Sequence, residues 1–240
     1  MTNISKIIFP PMHKEGYFFL GIFVLVTVVI FSFSNFLGFF SFALTVWCFY
    51  FFRNPVRVIP DVKDAIVSPA DGIVQQVQQV SWPKELKLRP ENLKKNDKVW
   101  RVSIFMDVFN VHVNRVPVEG VVKEVVYVPG KFLNASLDKA SEHNERQLFI
   151  MEEKHTKKLI AFTQIAGLVA RRITRFVKEE DEFSKGETFG MIRFGSRVDI
   201  FLPLGVCPQV CQGQISVAGE TILASLSMDR KKPVLGIVQG

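Results

Sequence analysis

Three side chains far apart in the chain could together break a peptide bond from within. Ser196 follows Gly195 in the run RFGSRVD (193–199), whose flanks, GMI and IFLP, read as strand. A glycine inside a strand packs nothing and weakens it, so it marks a bulge or a backbone position with another use. A serine hydroxyl is a nucleophile when a base stands nearby. A preceding glycine leaves the carbonyl uncrowded and permits unusual dihedral angles. Attack of Ser196 Oγ on the Gly195 carbonyl would turn the amide into a backbone ester. Elimination would then leave a C-terminus at Gly195 and a pyruvoyl group derived from Ser196. A Gly-Ser pair taken alone fits an ordinary β-bulge as well. Asp71, in the SPADG turn, and His112, in FNVHVNR, could activate Ser196, since a histidine oriented by an aspartate is the usual device. Each also has a plain structural reading, as a turn-capping aspartate and a hydrogen-bonded core histidine. If Val111–Val113 is strand, alternation sets His112 on the face opposite the two valines.

The elements that must position these residues begin with an apolar run. Residues 17–52, YFFLGIFVLVTVVIFSFSNFLGFFSFALTVWCFYFF, contain no Asp, Glu, Lys, Arg or His. One straight helix of that length would be about 54 Å, against a bilayer core of about 30 Å. The polar spot at Ser32–Asn35 divides it into two short helices, so a transmembrane helical hairpin is expected over 17–52, after a cytoplasmic segment over 1–16. Lys6 and Lys14 before the run, and Arg53 and Arg57 after it, put both ends on the cytoplasmic side. The run is too long for a signal peptide.

Residues 53–240 carry all but three of the Lys, Arg, Asp and Glu residues, and the whole chain has a formal net charge of +7. A basic domain beside an anchor suits anionic lipid. No helix-turn-helix, zinc finger or aromatic-basic RNA motif is present, so nucleic acid is not expected as a partner. Cys207 and Cys211 form CPQVC, short of the four ligands of a structural zinc, so no metal is expected. Val- and Ile-rich runs separated by Pro-Ala-Asp-Gly and Val-Glu-Gly turns give an α+β, mainly β, sandwich-like domain. Short helices are expected around 83–93, 134–142 and 167–176. In the last of these, Arg171, Arg172 and Arg175 form the strongest basic cluster, a candidate site for a lipid phosphate, with Arg171 and Arg175 on one face if it is helical. A solvated basic surface explains the same residues. Arg193 and Arg197 flank the Gly195–Ser196 bond.

At this point the chain resembles the phosphatidylserine decarboxylase family, in its short, membrane-anchored form. The resemblance rests on PMHKEGY (11–17), FFRNPVR (51–57), SPADG (68–72), FNVHVNRVPVEG (109–120), NER (144–146), QIAGLVARRI (164–173) and GMIRFGSRVDIFLP (190–203), in that order. It implies a proenzyme that cuts itself at Gly195–Ser196 into a membrane-bound β chain, 1–195, and an α chain, 196–240, capped by a covalent pyruvoyl cofactor made from Ser196. It implies that Asp71, His112 and Ser196 act together in self-cleavage. It also implies a pyruvoyl-dependent carboxy-lyase that converts phosphatidylserine to phosphatidylethanolamine through a Schiff base, in phospholipid biosynthesis. A membrane phospholipid is then the substrate, the inner cell membrane the location, with the catalytic domain on its cytoplasmic side, and a homo-oligomer is in keeping with the family. Longer members have two histidines three apart where this chain has only His112, followed by Asn114 and Arg115. His112 matches the first of that pair, which leaves open which group takes the proton from Ser196. Three other readings stand beside this one. An ether-linked archaeal lipid presents the same phosphoserine head, which would make the chain an archaetidylserine decarboxylase. SPADGIV and VAGETILAS are similar to barrel-sandwich carrier domains, which would make it a membrane-anchored adaptor. A serine hydrolase would need G-x-S-x-G, which is absent around Ser196.

Overall fold

The structure is a computed structural model, and it describes residues 10–131, 143–167, 173–175, 177–192 and 196–227. Two apolar helices come first, α1 (Gly16–Phe31) and α2 (Asn35–Phe51). They are separated by Ser32–Ser34, and the Ser34 hydroxyl accepts the Leu37 N–H at the start of α2. This is an N-cap that satisfies one of the orphan donors of the first turn. The helices pack antiparallel, with the Thr27 hydroxyl hydrogen-bonded to Ser41 at 2.7 Å and Thr45 at 2.8 Å between them. At 16 and 17 residues, α1 and α2 rise about 24 and 26 Å. Among the described residues, no helix is long and apolar enough to cross a membrane. A helical hairpin is therefore present, and its expected transmembrane course has no support from helix length.

The rest is mainly β. An eight-stranded antiparallel sheet runs β12-β2-β3-β11-β7-β6-β5-β9. Its strands are β2 (Gly72–Val80), β3 (Val99–Met106), β5 (Gly120–Val128), β6 (Arg146–Glu153), β7 (Leu159–Ala166), β9 (Glu182–Phe183), β11 (Ser196–Phe201) and β12 (Ile215–Ser216). A three-stranded sheet, β4-β10-β8, joins β4 (Val113–Arg115), β10 (Thr188–Ile192) and β8 (Ile173–Arg175). A two-stranded sheet pairs β1 (Ala65–Val67) with β13 (Ile222–Ser225). Alternation sends Val102, Ile104, Phe162, Val198 and Ile200 to one face of the large sheet, where they share a buried core with Ile66, Phe189, Ile192 and Leu223 of the two small sheets. The opposite face packs Leu148, Ile150, Ala161 and Phe201 against Trp82 and Leu86 of the 81–98 loop.

Of the short helices expected from sequence, the one around 83–93 is absent, and the one around 167–176 is not helical at its described residues 173–175. Residues 83–93 form turns and irregular chain. The N–H groups of Lys87 and Leu88 donate to the buried Glu124 carboxylate, each at 2.8 Å, so they are not available for helical bonds. Residues 173–175 are strand, because β8 pairs with β10, Arg175 opposite Gly190. Arg175 therefore has no helical partner face. Arg171, Arg172 and the 134–142 stretch lie outside the described residues.

Candidate active site

Ser196 opens β11, the strand between β3 and β7. It stands opposite Met106 on one side and Ala166 on the other, and it is wholly buried. Its hydroxyl donates to the thioether of Met106 at 3.9 Å. Asn114, on β4, donates its Nδ2 to the same sulfur at 3.6 Å. Gln164, on β7, donates Nε2 to Asn114 Oδ1 at 2.8 Å. These residues come from four strands and two sheets, and only the packing of one sheet on the other brings them together.

His112 lies just before β4 and is also fully buried. The carbonyl of Asn110 is 3.0 Å from Nδ1. A carbonyl can only accept, so Nδ1 carries the hydrogen and the neutral ring presents a lone pair at Nε2. Nε2 is buried and has no hydrogen-bond partner among the described residues. Burial pushes the imidazole pKa down to about 4, more than the Asn110 carbonyl and Asp107 restore, and the Arg53 charge acts with the burial. The ring stacks on Phe51 at the end of α2, 4.2 Å between centroids. Val111 and Val113 belong to the same cluster as Phe51, Phe52 and Met12. The expected opposition of His112 to its two valines fails, because strand alternation begins only at Val113. The helical hairpin thus rests directly on the segment that carries His112. The His112 carbonyl in turn accepts the Ile192 N–H at 3.4 Å, at the end of β10.

Asp71 is held elsewhere. Its Oδ1 accepts the Ala218 N–H at 2.8 Å, and its Oδ2 is paired with Arg57 at 2.6 Å. The SPADG turn around it is tied by Ser68 Oγ to the Ala70 carbonyl at 2.8 Å and by Ser216 Oγ to Ser68 Oγ at 2.7 Å. Gly72 has φ +149°, and a Cβ there would lie 2.0 Å from the Phe105 carbonyl oxygen. Glycine at this position lets the turn sit on β3, one strand from Ser196. No described hydrogen bond joins Asp71 or His112 to Ser196 or to each other, so the three are not assembled as a hydrogen-bonded triad. The linker is fastened to the same end of the domain. Arg115 NH2 donates to Asn54 Oδ1 and the Pro55 carbonyl, both at 3.0 Å, and Arg53 NH2 donates to the Phe109 carbonyl at 2.9 Å.

Arg197 does not share the face of Ser196. Alternation turns it to the opposite side of the sheet from Ser196, where Nε and NH2 pair with the two oxygens of Asp199 at 2.7 and 2.8 Å. Arg101 on β3 adds a contact with Asp199 at 3.8 Å. Burial works to raise the Asp199 pKa, and the Arg197 charge and hydrogen bond, with Arg101, hold it below its ordinary value. His143 and His155 are exposed. Gly195, Arg193, Arg171 and Arg172 lie outside the described residues, and Arg175 is placed by its strand alone.

Sequence reasoning did not single out Arg57, Met106, Asn114 or Gln164 as site residues. The available signal was a polar amide inside an apolar strand run, as in IAFTQIAG. It says that the residue is unusual, without saying what it meets.

A family profile described as phosphatidylserine decarboxylase matches residues 44–224. The chain is 48% identical over 225 residues to the phosphatidylserine decarboxylase proenzymes of Rickettsia typhi and Rickettsia prowazekii, covering 94% of this chain and 94% of each relative. The phosphatidylserine decarboxylase proenzyme of Rickettsia bellii is similar to the same extent.

Proposed function

The chain belongs to the phosphatidylserine decarboxylase family, and we propose that it makes its own pyruvoyl group by cleaving itself between Gly195 and Ser196, then decarboxylates phosphatidylserine. The observation that carries this reading is the setting of Ser196. It is a wholly buried serine at the head of a central strand, with neutral polar groups around it. Surface serines need no such setting, and burying two polar side chains against one thioether costs stability.

In the first step the bond from Ser196 Oγ to the Gly195 carbonyl carbon forms as the carbon–nitrogen bond breaks. The hydroxyl proton passes to the departing amide nitrogen. Loss of the Ser196 Cα proton then expels the Gly195 carboxylate with the ester electron pair and leaves a carbon–carbon double bond. Tautomerisation and addition of water release ammonia and leave the pyruvoyl carbonyl. The neutral His112, with a free Nε2 lone pair, is suited to carry protons in these steps. Asp71, fixed by Arg57 and Ala218, is read as holding the turn and the local charge.

The surroundings of Ser196 fit a small, uncharged carbonyl group. Among the described residues they are apolar except for neutral donors, and β3 and β7 grip β11 along its whole length, so β11 stays in place when the bond before it breaks. The pyruvoyl group supplies an electron sink for the pair left by departing CO2. His112 is proposed to protonate the substrate Cα. The helical hairpin is proposed to seat in a bilayer, entering and leaving by the cytoplasmic face. Phe18, Leu25, Phe36, Phe39 and Phe40 are each more than half exposed on it, which supports this, and the basic flanks agree.

Intact mass spectrometry of the purified protein tests the reading. Two chains are expected, 1–195 and 196–240, the smaller without a free amino group. Ser196→Ala is expected to stay whole and to release no CO2 from phosphatidylserine. A wild-type chain that stays whole, or a Ser196→Ala chain that divides at the same bond, refutes it.

A further inference from the structure

We propose that Asn114, oriented by Gln164, is the hydrogen-bond donor that stabilises negative charge developing at the Gly195–Ser196 linkage during self-cleavage. The inference rests on the self-cleavage reading and names two residues that it does not require.

Asn114 and Ser196 both donate to one acceptor, Met106 Sδ, at 3.6 and 3.9 Å. The carboxamide of Asn114 and the Ser196 hydroxyl therefore converge on one sulfur atom. A thioether is a weak acceptor, so neither donor is committed to it. When the hydroxyl moves to attack, an acceptor with real negative charge competes easily for the Asn114 N–H. The other end of the carboxamide is fixed. Gln164 Nε2 donates to Asn114 Oδ1 at 2.8 Å, which sets the amide plane and directs Nδ2 at the Met106 sulfur that Ser196 also contacts.

All four side chains are fully buried. Gln164 Oε1 is buried with no hydrogen-bond partner among the described residues. A buried acceptor left unpaired costs about 1–3 kcal/mol. Apolar side chains in these places would make a more stable core, so the amides are not explained by folding. Their chemistry suits a different task. A preorganised neutral donor costs little while the site is uncharged and acts fully once charge appears in a dry setting. Asn114 meets that description. Gln164 acts through it and is a positioning residue.

Two variants test the assignment, with wild type alongside. Asn114→Asp keeps the shape and still accepts from Gln164, but replaces the donor with a carboxylate. The rate at which the full-length chain divides, followed by mass spectrometry after synthesis, is expected to fall about 100-fold, the cost of losing one oxyanion donor. The block falls before the ester forms, so neutral hydroxylamine, which cleaves esters and not amides, is expected to leave the accumulated Asn114→Asp chain whole. Gln164→Met removes the orienting donor together with the unpaired acceptor. It is expected to slow division about 10-fold while its melting temperature, measured in a Ser196→Ala background, does not fall. A purely structural role would lower stability and rate together. Division of both variants at the wild-type rate overturns the inference, as does rapid hydroxylamine cleavage of the Asn114→Asp chain. If that variant does not fold, Gln164→Met decides alone. A wild-type chain that never divides removes the self-cleavage reading and this inference with it, so the two failures are told apart.

Discussion

Replacing Arg197 by Met should destabilise the chain severely, although Arg197 adjoins the proposed cleavage bond and its side chain lies on the face of the sheet opposite Ser196. Arg197 is fully buried, and its guanidinium pairs through two nitrogens with Asp199, itself 1% exposed. Removing the cation leaves a carboxylate buried in the sheet, with Arg101 farther off at 3.8 Å. Breaking a buried pair from one side costs about 3–5 kcal/mol, because the surviving charge keeps its desolvation penalty. A domain of this size loses about 2–4 °C per kcal/mol, so the melting temperature should fall by about 6–20 °C. The measurement belongs in a Ser196→Ala background, where the chain is whole and unfolding is unimolecular. Adding Asp199→Leu removes the second charge and should restore most of the loss, to within about 2 kcal/mol of the parent. The deficit of Arg197→Met should also shrink as pH falls. Without its partner, burial dominates Asp199 and raises its pKa, so the carboxylate takes up a proton and ceases to be a buried charge. Two results would refute this reasoning. One is a melting point for Arg197→Met within 2 °C of the parent, about the value of 1 kcal/mol. The other is a double variant no more stable than the single.

Two further expectations follow from residues nearer the site. His112 has its pKa lowered from 6.5 to about 4 by burial. Its neutral form therefore supports folding fully above pH 6.5, and the support is lost as pH falls from there towards 4, about 3 kcal/mol in all. His112→Gln in the Ser196→Ala background should flatten the stability profile in that window, and an unchanged difference between the two profiles would contradict it. Gly72→Ala should cost at least about 3 kcal/mol and slow self-cleavage. Its Cβ would meet the Phe105 carbonyl at 2.0 Å, and backbone on both sides must move. Equal thermal stability and equal division would show that the turn yields at no cost.

Much of this molecule is legible in its sequence. The alternating Val and Ile runs led to a mainly β domain, because alternation is a local property of strands. The apolar run led to helices, because no charge interrupts it. The Gly195–Ser196 pair stood out because a glycine there serves no packing purpose. Other features were hidden for physical reasons. Lys87 and Leu88 read as helix until the Glu124 carboxylate, far along the chain, takes their N–H groups. Residues 173–175 read the same way until β10 pairs with them. The turn motif makes Asp71 a natural partner for His112, but the local sequence does not reveal that Arg57, between α2 and β1, and the Ala218 amide occupy its carboxylate.

The sequence by itself determined the chemistry available: a serine after a glycine, a single histidine in the matching motif, an aspartate in a tight turn, and an apolar hairpin ahead of a basic domain. Those are properties of residue type and of short-range order. The tertiary structure alone decided which groups meet. Asn114 reaches the thioether that Ser196 contacts, and Gln164 reaches Asn114, because a three-stranded sheet packs on an eight-stranded one. His112 is neutral because α2 ends on it and water is excluded there. Arg197 faces away from the Ser196 side chain because β11 alternates between two buried faces, and only burial on both sides makes that arginine depend on Asp199.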